Sequence, residues 1–121
     1  GEIMAGTDAG VFQGQLEAVI QTALDSNVIP IVATVYTVPG YETQTQSINE
    51  AIINAANNKG APIFNEWKAF NDIGGGLDGA NNPSVDPAGD DYLSVSSNFG
   101  ANVRNRQILI LLNEIAVAFF N

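Results

Sequence analysis

Hydrophobic positions in the first half of the chain follow two different patterns. Apolar side chains recur at helical spacing over about residues 11–26, which predicts an amphipathic helix with Asp8 as its N-terminal cap. Residues 28–36 form a β-branched, apolar run without alternation, which is typical of a parallel strand covered on both faces. Residues 2–5 are interpreted as the end of an earlier strand. The helical positions are Phe12, Leu16, Val19, Ile20 and Ala23.

A second helix is predicted after the loop of residues 37–42. Thr43 and Gln46 have the spacing of a capping box, in which the hydroxyl and the amide bind backbone N–H groups at the start of a helix. Gly60 is predicted to end this helix in the left-handed conformation. Residues 61–64 then predict another short buried strand. The apolar stripe of the helix consists of Ile48, Ala51, Ile52, Ala55 and Ala56.

A long polar loop precedes the last predicted helix. Residues 71–91 are rich in Gly, Asn, Asp and Pro, and Asp86-Pro87 predicts the start of a short helix because proline suits the first helical turn. The final helix is predicted over about residues 101–119. It is apolar nearly all round, which indicates that protein covers more than one of its sides.

The alternation of predicted strands and helices indicates the fold class. Strand, helix, strand, helix, strand, helix is typical of an α/β sheet with helices on both faces. Three parallel strands leave much of each face and edge uncovered. We therefore expect an incomplete sheet whose missing strands come from the N-terminal half of the same precursor or from a neighbouring subunit. A homo-oligomer is one form of the second arrangement.

Composition and charge narrow the expected partners. The chain has 121 residues, of which 45% are hydrophobic, so it can build a core of its own. Its net charge of −9 repels nucleic-acid backbones and anionic lipid, so neither is an expected partner. The apolar stretch 108–120 is interrupted by Asn113 and Glu114 and is shorter than the roughly 20 residues of a membrane span. The many Asn, Gln, Thr and Ser residues and the few lysines favour an extracellular or cell-surface protein.

Several kinds of chemistry are excluded for this chain by itself. The sequence contains no histidine and no cysteine, so it has neither a histidine-based triad nor thiol or zinc–thiolate chemistry. The run Gly74-Gly75-Gly76 lacks the Gly-Lys-Ser/Thr of a phosphate-binding loop, and no cofactor is expected. The hydroxyl groups near this loop have no base in the chain to activate them: Ser84, Ser94, Ser96 and Ser97.

Asp78 has three interpretations: a catalytic relic, a turn residue that binds its own backbone, or a metal ligand. The Asp78-Gly79 pair favours a turn. The carboxylates of the loop do not have the spacing of a 12-residue calcium loop, so no metal site is predicted, although calcium binding stays open. These carboxylates belong to Asp72, Asp78, Asp86, Asp90 and Asp91.

The large aromatic and basic side chains have ordinary structural interpretations. Trp67, Phe64 and Phe70 are predicted to pack in the core, because large aromatic side chains are usually buried. Arg104 and Arg106, near the start of the last helix, are candidates to pair with the loop carboxylates, although exposed pairs contribute little stability.

Three segments, in order along the chain, resemble the SGNH (GDSL-type) hydrolase family. They are similar to the family's Gly-x-Asn-Asp block with the strand after it, to its helix and strand before the catalytic loop, and to its Asp-Gly-x-His-Pro block. The resemblance implies a flavodoxin-like three-layer α/β/α fold with a parallel sheet, incomplete here, and residues 1–121 as the C-terminal portion of one domain. The segments are Ala5-Gly6-Thr7-Asp8-Ala9-Gly10 with residues 28–34, then residues 48–65, and Gly76-Leu77-Asp78-Gly79-Ala80-Asn81-Asn82-Pro83 with Pro87-Ala88-Gly89.

The departures from the family pattern affect the catalytic positions. The Gly-Asp-Ser block that carries the nucleophile does not occur in the chain. Asp8 stands where the family has its oxyanion asparagine, and a carboxylate there repels a developing oxyanion. Asn81 stands where the family has its histidine, and an asparagine does not titrate as a general base. Of the family's Asp-x-x-His pair, only the aspartate is retained, as Asp78.

The resemblance thus implies a catalytically degenerate domain that acts as a binding or assembly module. Its cleft is expected at the carboxyl ends of the strands. The alternative is a working esterase whose serine-bearing half lies on a separate upstream chain. The candidate cleft residues are Gly6, Thr7, Asp8, Asp78, Asn81 and Asn82.

Overall fold

The computed structural model describes residues 8–74, 76–85 and 99–120 of the chain. These ranges form four helices and two strands, in the order α1 (Ala9–Asp25), β1 (Val32–Ala33), α2 (Glu42–Lys59), β2 (Ile63–Phe64), α3 (Glu66–Asp72) and α4 (Gly100–Phe120). The strands pair in parallel, with Val32 opposite Ile63 and Ala33 opposite Phe64. The α/β class and the parallel pairing are therefore confirmed. The strand expected at residues 2–5 and the helix expected at Asp86-Pro87 lie outside the described residues.

The chain forms two compact units, the first ending at Asn65 and the second beginning at Glu66. The core of the first unit lies between α1, α2 and β1. The predicted apolar stripe of α2 is buried throughout, as expected of the face that a helix turns toward a core. The cluster consists of Ile20, Val32, Ile48, Ile52, Ala55, Ala56 and Ala61, with Phe12, Leu16, Leu24, Val35 and Ile63 partly buried around it.

Two of the predicted helix ends in the first unit are confirmed, the start of α1 and the end of α2. The Asp8 carboxylate accepts a hydrogen bond from the Val11 backbone N–H at 3.0 Å, so the predicted cap of α1 is confirmed. Gly60 ends α2 with φ of 68°, as predicted.

The predicted capping box at Thr43 and Gln46 is wrong. Helix α2 begins at Glu42, and its capping residue, Tyr41, makes no side-chain capping bond. Other groups bind the backbone here: the Glu42 carboxylate accepts from the Gly40 N–H at 3.1 Å, and the Thr45 hydroxyl donates to the Tyr41 carbonyl at 2.8 Å. Because the helix starts before Thr43, the local pattern lies inside its first turns.

The strand predicted at residues 28–36 is shorter than expected and is not covered on both faces. Only Val32–Ala33 is a strand. Val32 and Thr34 are buried, whereas Ile29 and Ile31 are each 38% exposed. In the described part of the chain only β2 pairs with β1, and burial alternates along the segment, with Val32 and Thr34 buried and Ile31 and Ala33 exposed.

The second unit contains a helix that was not predicted. Helix α3 covers Glu66–Asp72, so the loop expected from residue 71 begins later. Phe70 is buried, and so is Phe64 in the first unit, which confirms both predictions. Trp67 is 42% exposed, so its prediction as a core residue is wrong, because it lies on the outer side of this short helix.

Helix α4 confirms the last predicted helix, and the exposure of its side chains increases along its length. Its first turn is enclosed, with Ala101, Asn102 and Val103 buried. Farther along, Leu109 is 50% exposed and Ile110 is 46% exposed. Within the described ranges, none of the helices combines the length and the apolar character that crossing a bilayer requires.

Candidate functional site

A hydrogen bond between two polar side chains lies at the carboxyl ends of β1 and β2. The Thr34 hydroxyl, which is buried, donates to the Asn65 side-chain oxygen at 3.1 Å, and Asn65 directly follows β2. The two strands therefore end in a pair of polar side chains. In open parallel sheets, ligands usually bind at the carboxyl ends of the strands.

Asn49 of α2 binds the backbone just beyond β1. The Val35 N–H donates to the Asn49 side-chain oxygen at 2.8 Å, and the Asn49 amide donates to the Val35 carbonyl at 2.9 Å. The Thr34 N–H donates to the Phe64 carbonyl of β2. Successive residues of a strand direct their N–H and carbonyl groups to opposite sides, so those of Val35 are directed away from β2. The Asn49 amide thus binds where a neighbouring strand would bind.

The role of Asn49 was not predicted from the sequence, although the sequence contains a signal for it. It is a polar residue between Ile48 and Ile52, within the buried side of α2, and only 8% of it is exposed. A buried amide requires hydrogen-bond partners, so a polar residue at such a position indicates a specific bond.

An apolar groove of about 320 Å³ lies between α1 and β1. Its walls contain no titratable and no nucleophilic side chain. The groove therefore offers apolar contact area and no acid–base chemistry. Among its lining residues are Phe12, Leu16, Val19, Ala23, Ile31 and Ala33.

Asp8, which the sequence resemblance aligns with an oxyanion asparagine, makes a hydrogen bond that caps a helix. Its carboxylate accepts the Val11 N–H described above, at the start of α1. A carboxylate in this role is an acceptor, whereas stabilisation of an oxyanion requires a donor. Gly6 and Thr7 lie outside the described residues.

Asp78, Asn81 and Asn82 lie together in one exposed turn of the second unit. One oxygen of the Asp78 carboxylate accepts the N–H groups of Ala80 at 2.8 Å and of Asn82 at 3.0 Å. The Asn81 N–H donates to the Asp78 carbonyl at 3.0 Å, and Asn81 has φ of 61°. The interpretation of Asp78 as a turn residue is confirmed.

Ser84 connects this loop to the start of α4. Its hydroxyl donates to the Gly76 carbonyl at 3.0 Å and accepts the Gly100 N–H at 3.0 Å, and its carbonyl accepts the Ala101 N–H at 2.9 Å. A Cβ atom at position 100 would overlap the Gly76 carbonyl oxygen. Ser84 therefore caps a helix that begins 16 residues later, a role that was not predicted from the sequence.

The charged groups of the second unit include one perturbed carboxyl. Burial raises the pKa of Glu66, and the nearby positive charge of Arg104 opposes this effect in part. Lys68 and Asp72 form an exposed ion pair at 2.6 Å. Among the residues that the structure describes, no three acidic side chains come together as a metal site would require. Asp86, Asp90 and Asp91 lie outside them.

Comparison with known proteins finds no similarity to report. No protein-family model matches the chain, and neither a curated protein nor a solved structure matches it.

Proposed function

We propose that this chain is the C-terminal part of a catalytically degenerate SGNH-like domain with a flavodoxin-like sheet, which acts as a binding or assembly module outside the cell. The observation that carries the proposal is the open apolar side of β1, next to the groove along α1. Its occupant is an extended segment from the upstream region of the same precursor, which adds to the sheet.

The chemistry of the groove favours a polypeptide over a reacting substrate. Apolar side chains line it, and one of them, Ile31, is 38% exposed. Within the described residues the edge of β1 opposite β2 has no strand beside it. An added strand finds backbone hydrogen bonds along this edge and apolar contacts in the groove, which together are the basis of recognition by strand addition.

The state of the three family positions supports a role without catalysis. Asp8 and Asp78 accept backbone N–H groups in a helix cap and in a turn. Asn81 adopts a left-handed turn conformation and has no titratable nitrogen. These three residues stabilise local backbone structure, and the sequence contains no histidine that could replace the missing base.

Binding of the upstream region tests the proposal directly. The region of the precursor upstream of Gly1 is produced as a separate chain and titrated calorimetrically into the 121-residue chain. We expect saturable binding that an Ile31→Asp substitution weakens at least about tenfold, because a charge then enters an apolar contact. Val85→Asp is the matched control, since Val85 is an exposed apolar residue of the second unit.

Two results contradict the proposal. One is an upstream region that does not bind or does not exist in the gene, and the other is equal weakening by both substitutions. Far-UV circular dichroism of the variants verifies that they are folded. The assembled protein is also assayed with p-nitrophenyl acetate, and we expect no turnover. Turnover that disappears when an upstream serine is replaced by alanine would establish the esterase alternative.

A further inference from the structure

One face of α4 combines exposed apolar residues with two opposite charges. Arg106, Leu109, Ile110, Asn113 and Glu114 line a shallow depression along it. These positions are three and four residues apart, so they project on the same side of the helix. The face lies within the second unit and has no residue in common with the groove of the first unit.

The charges on this face are placed symmetrically. Arg106 precedes Ile110 by four residues and Glu114 follows it by four. Each charge therefore lies about 6 Å from Ile110 along the helix axis, in opposite directions. When two copies of such a face meet antiparallel about a two-fold axis at Ile110, each Arg106 meets the Glu114 of the other copy. A parallel arrangement instead brings like charges together.

We propose that this face of α4 binds a second copy of the chain, antiparallel and centred on Ile110. The contact is isologous, which is the commonest symmetry of protein dimers. Leu109 and Ile110 lose water-exposed apolar area, and two arginine–glutamate pairs fix the orientation. The contact covers only about three turns of helix, so the dimer belongs to the weak, reversible class and forms in a concentration-dependent manner.

The contacts that Arg106 makes within its own chain are compatible with this arrangement. Arg106 takes part in an interaction inside the chain. A guanidinium group has five N–H donors, so it can bind the Glu114 carboxylate of the second copy in addition to its existing partner. Glu114 is exposed, and its carboxylate accepts more than one hydrogen bond.

Charge reversal tests both the contact and its orientation. Sedimentation equilibrium of the 121-residue chain over a range of concentrations measures the monomer–dimer equilibrium. We expect Arg106→Glu and Glu114→Arg each to weaken dimerisation at least about tenfold, because two attractive pairs become two repulsive ones. The double variant restores the dimer, since its charges are again complementary. Ile110→Ala weakens the dimer without affecting the charges.

The controls separate the contact from a change in net charge or in folding. Glu50→Arg changes the net charge as Glu114→Arg does, but on the exposed side of α2, and leaves the dimer unchanged. Far-UV circular dichroism monitors folding, which matters most for Arg106→Glu because Arg106 is partly buried, whereas Ile110 and Glu114 are exposed. A wild-type chain that stays monomeric at all concentrations overturns the proposal. So does a dimer that survives both single reversals, or one that the double reversal fails to restore.

Discussion

Replacement of Asn49 by alanine removes two hydrogen bonds with one change. The Val35 N–H and carbonyl lose partners at 2.8 Å and 2.9 Å, next to a buried part of the first unit. A buried backbone group left without a partner costs about 1–3 kcal/mol. Because Val35 is itself only partly buried, water satisfies part of this loss. We therefore expect Asn49→Ala to lower the free energy of unfolding by about 2–3 kcal/mol.

The matched control is Asn54→Ala, an exposed asparagine on the same helix. It reports the gain in helix propensity, which is at most about 0.7 kcal/mol, without any change at β1. Urea denaturation followed by far-UV circular dichroism measures both variants. Amide hydrogen exchange at Val35 gives a local measurement, and Asn49→Ala is expected to accelerate it. If the two variants differ in stability by less than about 0.5 kcal/mol, the Asn49–Val35 hydrogen bonds do not contribute measurably to the free energy of unfolding.

Asn49→Asp adds a test of the donor in this pair. The ionised carboxylate still accepts the Val35 N–H, but its second oxygen faces the Val35 carbonyl without a proton to donate. The folded state therefore raises the pKa of the introduced carboxyl above the value of about 3.9 in an unfolded chain. Its contribution to stability is present at low pH and is lost as the pH rises through the folded-state pKa. We expect the deficit relative to wild type to be smaller at pH 5 than at pH 7. An equal deficit at both values would contradict the assigned donor.

Two further predictions concern the second unit. Gly100→Ala is expected to destabilise the protein by about 3 kcal/mol, because a Cβ atom at this position overlaps a backbone oxygen. The control, Gly79→Ala, places its Cβ in open space and is expected to change the stability by less than about 0.5 kcal/mol. Similar urea midpoints for the two variants would refute this prediction. Because burial raises the pKa of Glu66 above 4.5, its contribution to stability is lost as the pH rises through the folded-state value. Glu66→Gln is therefore expected to lose less stability than wild type between pH 5 and pH 7. Arg104→Gln is expected to lose more, and parallel stability curves for the three proteins would count against the shift.

Helices with a regular apolar stripe could be predicted from the sequence. In α2, residues such as Ile52 and Ala55 repeat at the helical period, and burial of one face decides the structure of the whole segment. Asp8 and Gly60 could be assigned as caps because their bonds lie within a few residues of the helix end. Local patterns suffice where the stabilising contacts are local.

The elements that could not be predicted depend on contacts between distant residues. Asn49 and Val35 are 14 positions apart, and Ser84 and Gly100 are 16 apart, so neither bond follows from a local pattern. Residues 28–36 are apolar throughout, but the number of neighbouring strands and helices decides how much of such a run pairs and which side is covered. The same apolar sequence pattern is therefore compatible with a fully buried strand and with the short, partly exposed strand that forms here.

The Asn49 amide also limits how far the sheet extends along β1. Because it occupies both backbone groups of Val35, a strand added at this edge has Ile31 and Ala33 as hydrogen-bonding partners and ends before position 35. Sliding such a strand by two residues toward the carboxyl end requires displacing a side chain that makes two bonds. The amide therefore excludes the alignments in which an incoming strand extends to position 35.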